Sequence, residues 1–281
     1  MKLTEAGKAD RESLGGKAWV LGDLVTAGFP VPPGLVVTSA APAGEGWESG
    51  LAAAARALPG VRFAVRSSSA AEDLPDASYA GLYESYLNIT VDELPEAVRR
   101  CFAAAASERV TAYRERHGGD RATMAVLVQV MVEPAAAGVA FTAHPLTGDR
   151  GQTVLTAVPG LSERLVSGEE AGEEWTVTAG DVRMTRPMSG DAPVLSTRQA
   201  AAVAELCGRV AARYGRPQDI EWAIDSDDRL WLLQARPMTA LPPPVAWTAP
   251  GPGLWMRNFR LGEWLPEAVT PLFATWLLPA V

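Results

Sequence analysis

The sequence is poor in the residues that build metal clusters and covalent staples. Two cysteines, Cys101 and Cys207, and two histidines, His117 and His144, occur in 281 residues. That supply excludes a disulfide framework, and no Cys/His spacing matches a zinc site. Both cysteines fall in apolar, helix-like patterns and are expected to be buried as small hydrophobes. Neither histidine stands in a Ser-His-Asp arrangement. His117, beside Gly118 and Gly119, fits a surface helix end, and His144, in FTAHP, fits a structural or solvent-facing position after a strand. No long basic run exists, and 25 basic against 33 acidic residues give a net charge of −8, so nucleic acid is not an expected partner. No apolar run reaches about 18 residues, so no membrane-spanning helix is expected. The opening MKLTEAGKADRE lacks the apolar stretch of a signal peptide, which makes a cytoplasmic location the expectation. No internal repeat is visible.

What remains is a chain with 48% hydrophobic and 21% charged residues, a balance that suits one large globular domain or two lobes sharing a cleft. Apolar Trp19, Leu21, Leu24 and Val25 predict a short helix over 15–28, closed by Gly28 and then by Pro30, Pro32 and Pro33. An Ala-rich helix is expected over 46–58 and another over 92–116. VRFAVR (61–66) reads as a strand ending in a serine cluster. MAVLVQVMV (124–132) reads as a strand buried on both faces, with GVAFTAHP, TVLTAV and EWTVTA as further strands. Ser196 and Gln199 form a capping box for a helix over 197–214 that Gly215 ends. DIEWAI and LWLLQ form a hairpin about the polar turn 225–229, and the Pro-rich 241–253 reads as a linker. Residues 1–240 are therefore expected to form one domain, with 254–281 opening another.

The hairpin points at a metal. With Asp225 opposite Leu230, the pairs Ile224–Trp231, Trp222–Leu233 and Ile220–Ala235 fall on one apolar side. The other side holds Asp219 with Arg236, Glu221 with Gln234, and Ala223 with Leu232. Paired oxygen donors at Glu221 and Gln234 can share a hard cation such as Mg²⁺, and Arg236 nearby can carry phosphate charge. The same pattern also fits an exposed polar face on an edge hairpin. Gly15-Gly16-Lys17 before a helix suits either a surface turn or a phosphate, although the P-loop spacing is absent. Arg66, followed by Ser67, Ser68 and Ser69 at a strand end, suits an anion or a capped structural turn.

Taken in order, these segments resemble one family. GGKAWVLGDLVTAGFPVPPGLVVT, FAVRSSSAAEDLPDASYAGLYESYLNI, VQVMVEPAAAGVAFTAHPLTG, GLSERLVSG and PQDIEWAIDSDDRLWLLQARPMT are similar to the successive blocks of the nucleotide domain of phosphoenolpyruvate synthase and pyruvate phosphate dikinase. The style is that of the rifampicin phosphotransferase branch, including GEWLPEAVTPLF after the linker. The resemblance spans 13–240 and implies an α+β, two-lobed ATP-grasp domain that binds ATP between its lobes. It implies that Lys17 and Arg66 contact the nucleotide phosphates, that Glu221 and Gln234 bind Mg²⁺, and that Arg236 assists the transferring phosphate. Gly81 would let a loop close over the phosphates, Gln129 and Met131 would line the adenine region, and Glu163 would lie near the site.

The implied chemistry splits ATP into AMP and phosphate and passes the β-phosphoryl to a histidine on a separate swivelling domain. Nothing in the chain resembles that phosphohistidine domain, so it is expected on a missing C-terminal part or on another chain. The final small-molecule acceptor is open. Leu82 stands where Gln is usual, His144 where Asn or Asp is usual, and Ser162 where Gly is usual, and the stretch from Thr38 to Arg62 is short. Two other functions stay open on these grounds. One is a non-catalytic interaction module with the same fold, and the other is a ligase-like enzyme that phosphorylates a bound substrate directly.

Overall fold

The computed structural model describes residues 1–69, 85–105, 124–188, 192–239 and 241–242. Gly81, Leu82 and His117 lie outside them, as do the linker beyond Pro242 and the stretch 254–281. The chain divides into two units, Met1–Pro244 and Val245–Val281.

After a short helix α1 (Leu3–Ala6), helix α2 runs from Arg11 to Thr26. It begins earlier than the glycine pair suggests because Asp10 caps it, accepting from the backbone N–H groups of Glu12 and Ser13 at 3.3 and 3.2 Å. Gly15 then interrupts it with φ 76° and ψ 165°. The expected stop at Gly28 is a Schellman closure: Gly28 donates to the Val25 carbonyl at 3.1 Å and Phe29 to that of Leu24 at 3.0 Å. Helices α3 (Trp47–Arg56) and α4 (Leu94–Ala105) fall inside their expected spans. Helix α5 (Glu163–Val166) is a single turn. Helix α6 (Thr197–Tyr214) has both reciprocal bonds of the Ser196–Gln199 capping box and left-handed Gly215 at its end.

Ten strands form two antiparallel sheets among the described residues. The first has the order β1 (Gly34–Thr38), β4 (Met124–Val130), β2 (Phe63–Ser69), β3 (Ser85–Ile89). The second has the order β10 (Leu230–Pro237), β9 (Gln218–Asp225), β5 (Pro134–Phe141), β6 (Thr153–Pro159), β7 (Glu173–Thr178), β8 (Asp181–Arg186). This is the expected α+β architecture of two sheet-based lobes.

The alternation of strand residues assigns each face of the first sheet. Leu35, Val37, Phe63, Val65, Val126 and Val128 pack with Leu51, Leu94 and Val98 of α3 and α4. Val36, Ala125 and Leu127 point the other way, into a second core with Leu14, Ala18 and Leu21 of α2. That same core continues into the second sheet through Ile220, Trp222, Ile224, Leu232 and Ala235, backed by Val203, Cys207 and Val210 of α6. Helix α2 thus touches both sheets, packing on β2 and β4 and also on β10. Both cysteines are buried, as expected, and burial pushes the Cys207 thiol up.

An ionic clasp fixes α2 to α6. Arg213 binds Asp23 through Nε at 2.7 Å and Nη2 at 2.5 Å, and Tyr214 Oη donates to Asp23 at 2.9 Å. The hydrogen bond from Arg213 holds the Asp23 carboxyl below its ordinary value of 3.8. A depressed folded-state value stabilises the fold above the ordinary value and loses that contribution as pH falls through the depressed one. Asp23→Asn should therefore lower the melting temperature at pH 7, for a stability loss of about 1 kcal/mol with the half-exposed arginine discounted. The gap to wild type should shrink in melts near pH 3, and an equal gap at both pH values would exclude the clasp as an ionic contribution.

Candidate functional site

The two-residue period of β2 and β4 places Ala64, Arg66 and Gln129 on the α2-facing side of the first sheet, where α2 leaves part of it open. Arg66 reaches from there across to the second sheet. Its Nη1 donates to the Leu233 carbonyl at 3.3 Å and lies 3.9 Å from Glu221 Oε2, with side-chain exposures of only 15% and 21% for the ionic pair. Lys17, two residues after the interruption at Gly15, donates from Nζ to the Ser67 carbonyl at 3.3 Å. The two cations from distant sequence segments therefore meet at consecutive residues of β2.

The hairpin register agrees with expectation at its base and departs from it near the turn. Gln234 pairs with Glu221, Ala235 with Ile220 and Arg236 with Asp219. Above them Leu232 pairs with Trp222, Trp231 with Ala223 and Leu230 with Ile224, because a bulge intervenes at Leu233. The expected Asp225–Leu230, Ile224–Trp231, Ala223–Leu232 and Trp222–Leu233 pairs are all corrected by one residue. A simple alternation would have left Leu232 on the polar side, whereas the bulge buries it fully beside Trp222. It also puts Leu233 and Gln234 on the open face together, and it turns out the Leu233 carbonyl that Arg66 takes.

Below Glu221 on the same face, Asp219 binds Arg236 through Nε at 2.8 Å and Nη2 at 2.7 Å. Burial is the largest influence on Asp219 and raises its carboxyl above the ordinary range, against the opposing pull of Arg236. Asp219 entered the sequence reading only as the register partner of Arg236. The signal available was its spacing, two residues before Glu221, which puts both carboxylates on one strand face.

Between the sheets lies a cleft of about 490 Å³, open solvent at its mouth included. Arg66, Gln129, Met131 and Glu163 line it, together with Ala223 and Leu233. Four residues expected at or near the nucleotide site thus line one cleft. Gln129 is nearly fully buried and donates from Nε2 to the Pro32 carbonyl at 3.2 Å. Lys17, Glu221, Gln234 and Arg236 are not part of this lining; they sit beside it through Ser67, through Arg66 and along the hairpin face.

His144 is held outside the cleft by its own loop. Its Nδ1 accepts from the backbone N–H groups of Leu146 and Thr147 at 3.2 and 3.3 Å, so the ring does what an Asn or Asp oxygen does in a side-chain-capped turn. His144→Asn should preserve the fold, while His144→Ala should destabilise it by about 1 kcal/mol. Thermal melts at neutral pH check this, and a larger loss for Asn than for Ala would contradict the capping role.

The donor set fits a cation that does not rely on protein alone. No group of three or more His, Cys, Asp or Glu residues able to hold a metal occurs among the described residues. One carboxylate and one amide oxygen in register, Glu221 and Gln234, suit Mg²⁺, which takes its remaining ligands from phosphate and water.

Comparison with known proteins decides the family. The pyruvate phosphate dikinase AMP/ATP-binding domain matches residues 45–192 and 178–246. The chain belongs to that family. It is 41% identical to a rifampicin phosphotransferase of a Streptomyces species over 206 residues, covering 64% of the chain and 24% of that protein. It is 31% identical to the phosphoenolpyruvate synthase of Aeropyrum pernix over 342 residues, covering 84% of the chain and 42% of that protein. The chain thus spans less than half the length of these relatives. Among solved structures, the biotin carboxylase domain of Hydrogenobacter thermophilus 2-oxoglutarate carboxylase covers 80% of the chain and 40% of its own length at 14% identity and a TM-score of 0.46. No helix among the described residues of this family member is long and apolar enough to cross a membrane.

Proposed function

We propose that the chain binds Mg-ATP in the cleft between its two sheets, as an ATP-grasp domain, and is the nucleotide-binding part of an ATP-dependent phosphotransferase. The observation that carries this is the meeting of Arg66 from one sheet with Glu221 and the Leu233 carbonyl of the other, at the edge of the lined cleft. A mobile anion with a metal could replace the carboxylate and carbonyl as partners of that guanidinium.

In this reading Lys17 and Arg66 hold phosphate oxygens as charge-assisted donors, and Arg236, oriented by Asp219, holds the phosphoryl group in flight. Glu221 and Gln234 would hold Mg²⁺, which neutralises phosphate charge and aligns the oxygens. Gln129 and Met131 would line the base, with Glu163 near the site and Gly81 in a covering loop. The β-phosphoryl would pass to a histidine on a phosphohistidine domain, in a further part of the protein or on a partner chain, with AMP as leaving group and the γ-phosphoryl transferred to water as phosphate.

Neither histidine of the chain suits that carrier role. His144 is committed to its loop, and a carrier must travel between two sites. The chain alone should bind Mg-ATP, form little AMP and hold no acid-labile phosphate after incubation with β-labelled ATP. A histidine domain added in trans should restore AMP formation. Labelling of the chain alone that His144→Ala abolishes would contradict this division of labour, and phosphorylation of a small-molecule acceptor by the chain alone would favour a ligase-like reaction.

A further inference from the structure

The phosphate-side lysine rides on a helix start whose capping bond comes from another part of the chain. Helix α2 breaks at Gly15 and resumes at Gly16, so Gly15 occupies the capping position, Lys17 the second helical position and Ala18 the third. The third backbone N–H of a helix is ordinarily satisfied by the side chain of the capping residue. Gly15 has no side chain to offer.

It also cannot be exchanged for a residue that has one. Its φ is 76°, and a Cβ there would stand 2.3 Å from both the backbone carbon and oxygen of Ser68. The missing bond is supplied by Ser68 itself, fifty residues away on β2. Its hydroxyl accepts from Ala18 N–H at 2.9 Å and donates to the Leu14 carbonyl at 2.7 Å. One fully buried hydroxyl therefore joins the last carbonyl before the break to the third backbone donor after it. The same strand carries Arg66, and the carbonyl of Ser67 receives Lys17.

We propose that Ser68 is a positioning residue: acting through Ala18, it sets the start of the resumed helix so that Lys17 stands beside Arg66 at the phosphate end of the cleft. Close approach of β2 to the break requires glycine, and glycine in turn requires a cap supplied from outside the helix. This rests on the Mg-ATP reading for its affinity readout, though not for the cap itself.

The test is a double-mutant cycle on the full chain, with Mg-ATP affinity read by calorimetry. Ser68→Ala should weaken binding about tenfold although it removes no charge, whereas in a Lys17→Ala background it should cost less than about twofold more. Thr26→Ala, at the far end of α2, should lower the melting temperature with unchanged affinity. A Ser68→Ala chain that melts early but binds normally, or whose loss is the same with and without Lys17, overturns the proposal.

If Ser68→Ala does not fold, Ser68→Cys keeps the volume with a poorer acceptor and should show a smaller loss with the same dependence on Lys17. Amide exchange separates the two readings. Ala18 N–H should be protected in the wild-type chain and should exchange faster in Ser68→Cys, and fast wild-type exchange would overturn the cap. A wild-type chain with protected Ala18 that binds no Mg-ATP would instead overturn the proposed function, and the positioning of Lys17 with it.

Discussion

Glu221→Ala is expected to remove most magnesium-dependent ATP binding, a loss on the order of 100-fold in affinity. The loss of the metal ligand dominates. The pair that would hold the metal keeps only the neutral amide of Gln234, and Mg²⁺ bound through phosphate alone gains little from the protein. Against this, Arg66 loses its carboxylate partner and becomes a freer donor for phosphate, an effect smaller than the loss of the metal. Ala223→Ser, on the same strand face, should change affinity much less. Titrations of both variants at saturating Mg²⁺ check this; affinity equal to wild type for Glu221→Ala would remove the metal assignment.

Arg66→Ala should be as severe for a different reason. Removing a mostly buried cation that donates to one carbonyl and faces a carboxylate costs about 1.5–3 kcal/mol, part of it for the groups left behind. In the chain without nucleotide that cost appears as lost stability, because the Leu233 carbonyl loses its donor and Glu221 its neighbouring positive charge. In binding it appears as a further loss of about 100-fold in ATP affinity, at roughly tenfold per 1.4 kcal/mol. Lys17→Ala should differ, weakening ATP by about 1.5–3 kcal/mol with little change in stability without nucleotide, since its bond to the Ser67 carbonyl does not bridge the two sheets. Arg56→Ala, which breaks an exposed pair with Asp92, should alter neither quantity much. A stable Arg66→Ala chain with normal affinity would place the phosphates elsewhere.

The parts of the fold legible in the sequence are those where one local rule acts alone. The Ser196–Gln199 box, the Gly28 closure and the doubly buried β4 each follow from a few adjacent residues, and each is present in the structure. β1, β3 and β8 went unread. β1 buries four residues in succession and so has no two-residue alternation, while β8 is an edge strand made largely of charged and polar residues, mostly exposed.

The base of the hairpin was legible because Glu221–Gln234 and Asp219–Arg236 obey simple alternation. The bulge at Leu233 was not, since it answers to tertiary demands: Leu232 must reach the core beside Trp222, and a carbonyl must face Arg66. The Ser68 bonds were beyond a local reading for the same reason, as they join residues fifty and fifty-four apart. The serine cluster marked the place without showing which hydroxyl mattered.

The central claim is that one Mg-ATP sits between the sheets, held by cations of the first and oxygens of the second. A calorimetric titration of ATP into the wild-type chain, with Mg²⁺ and again with the metal chelated, tests it most directly. The account predicts one ATP per chain in Mg²⁺, binding weakened by at least about tenfold on chelation, and both affinities lowered by Arg66→Ala. No binding in Mg²⁺, or equal affinity with and without the metal, would contradict it.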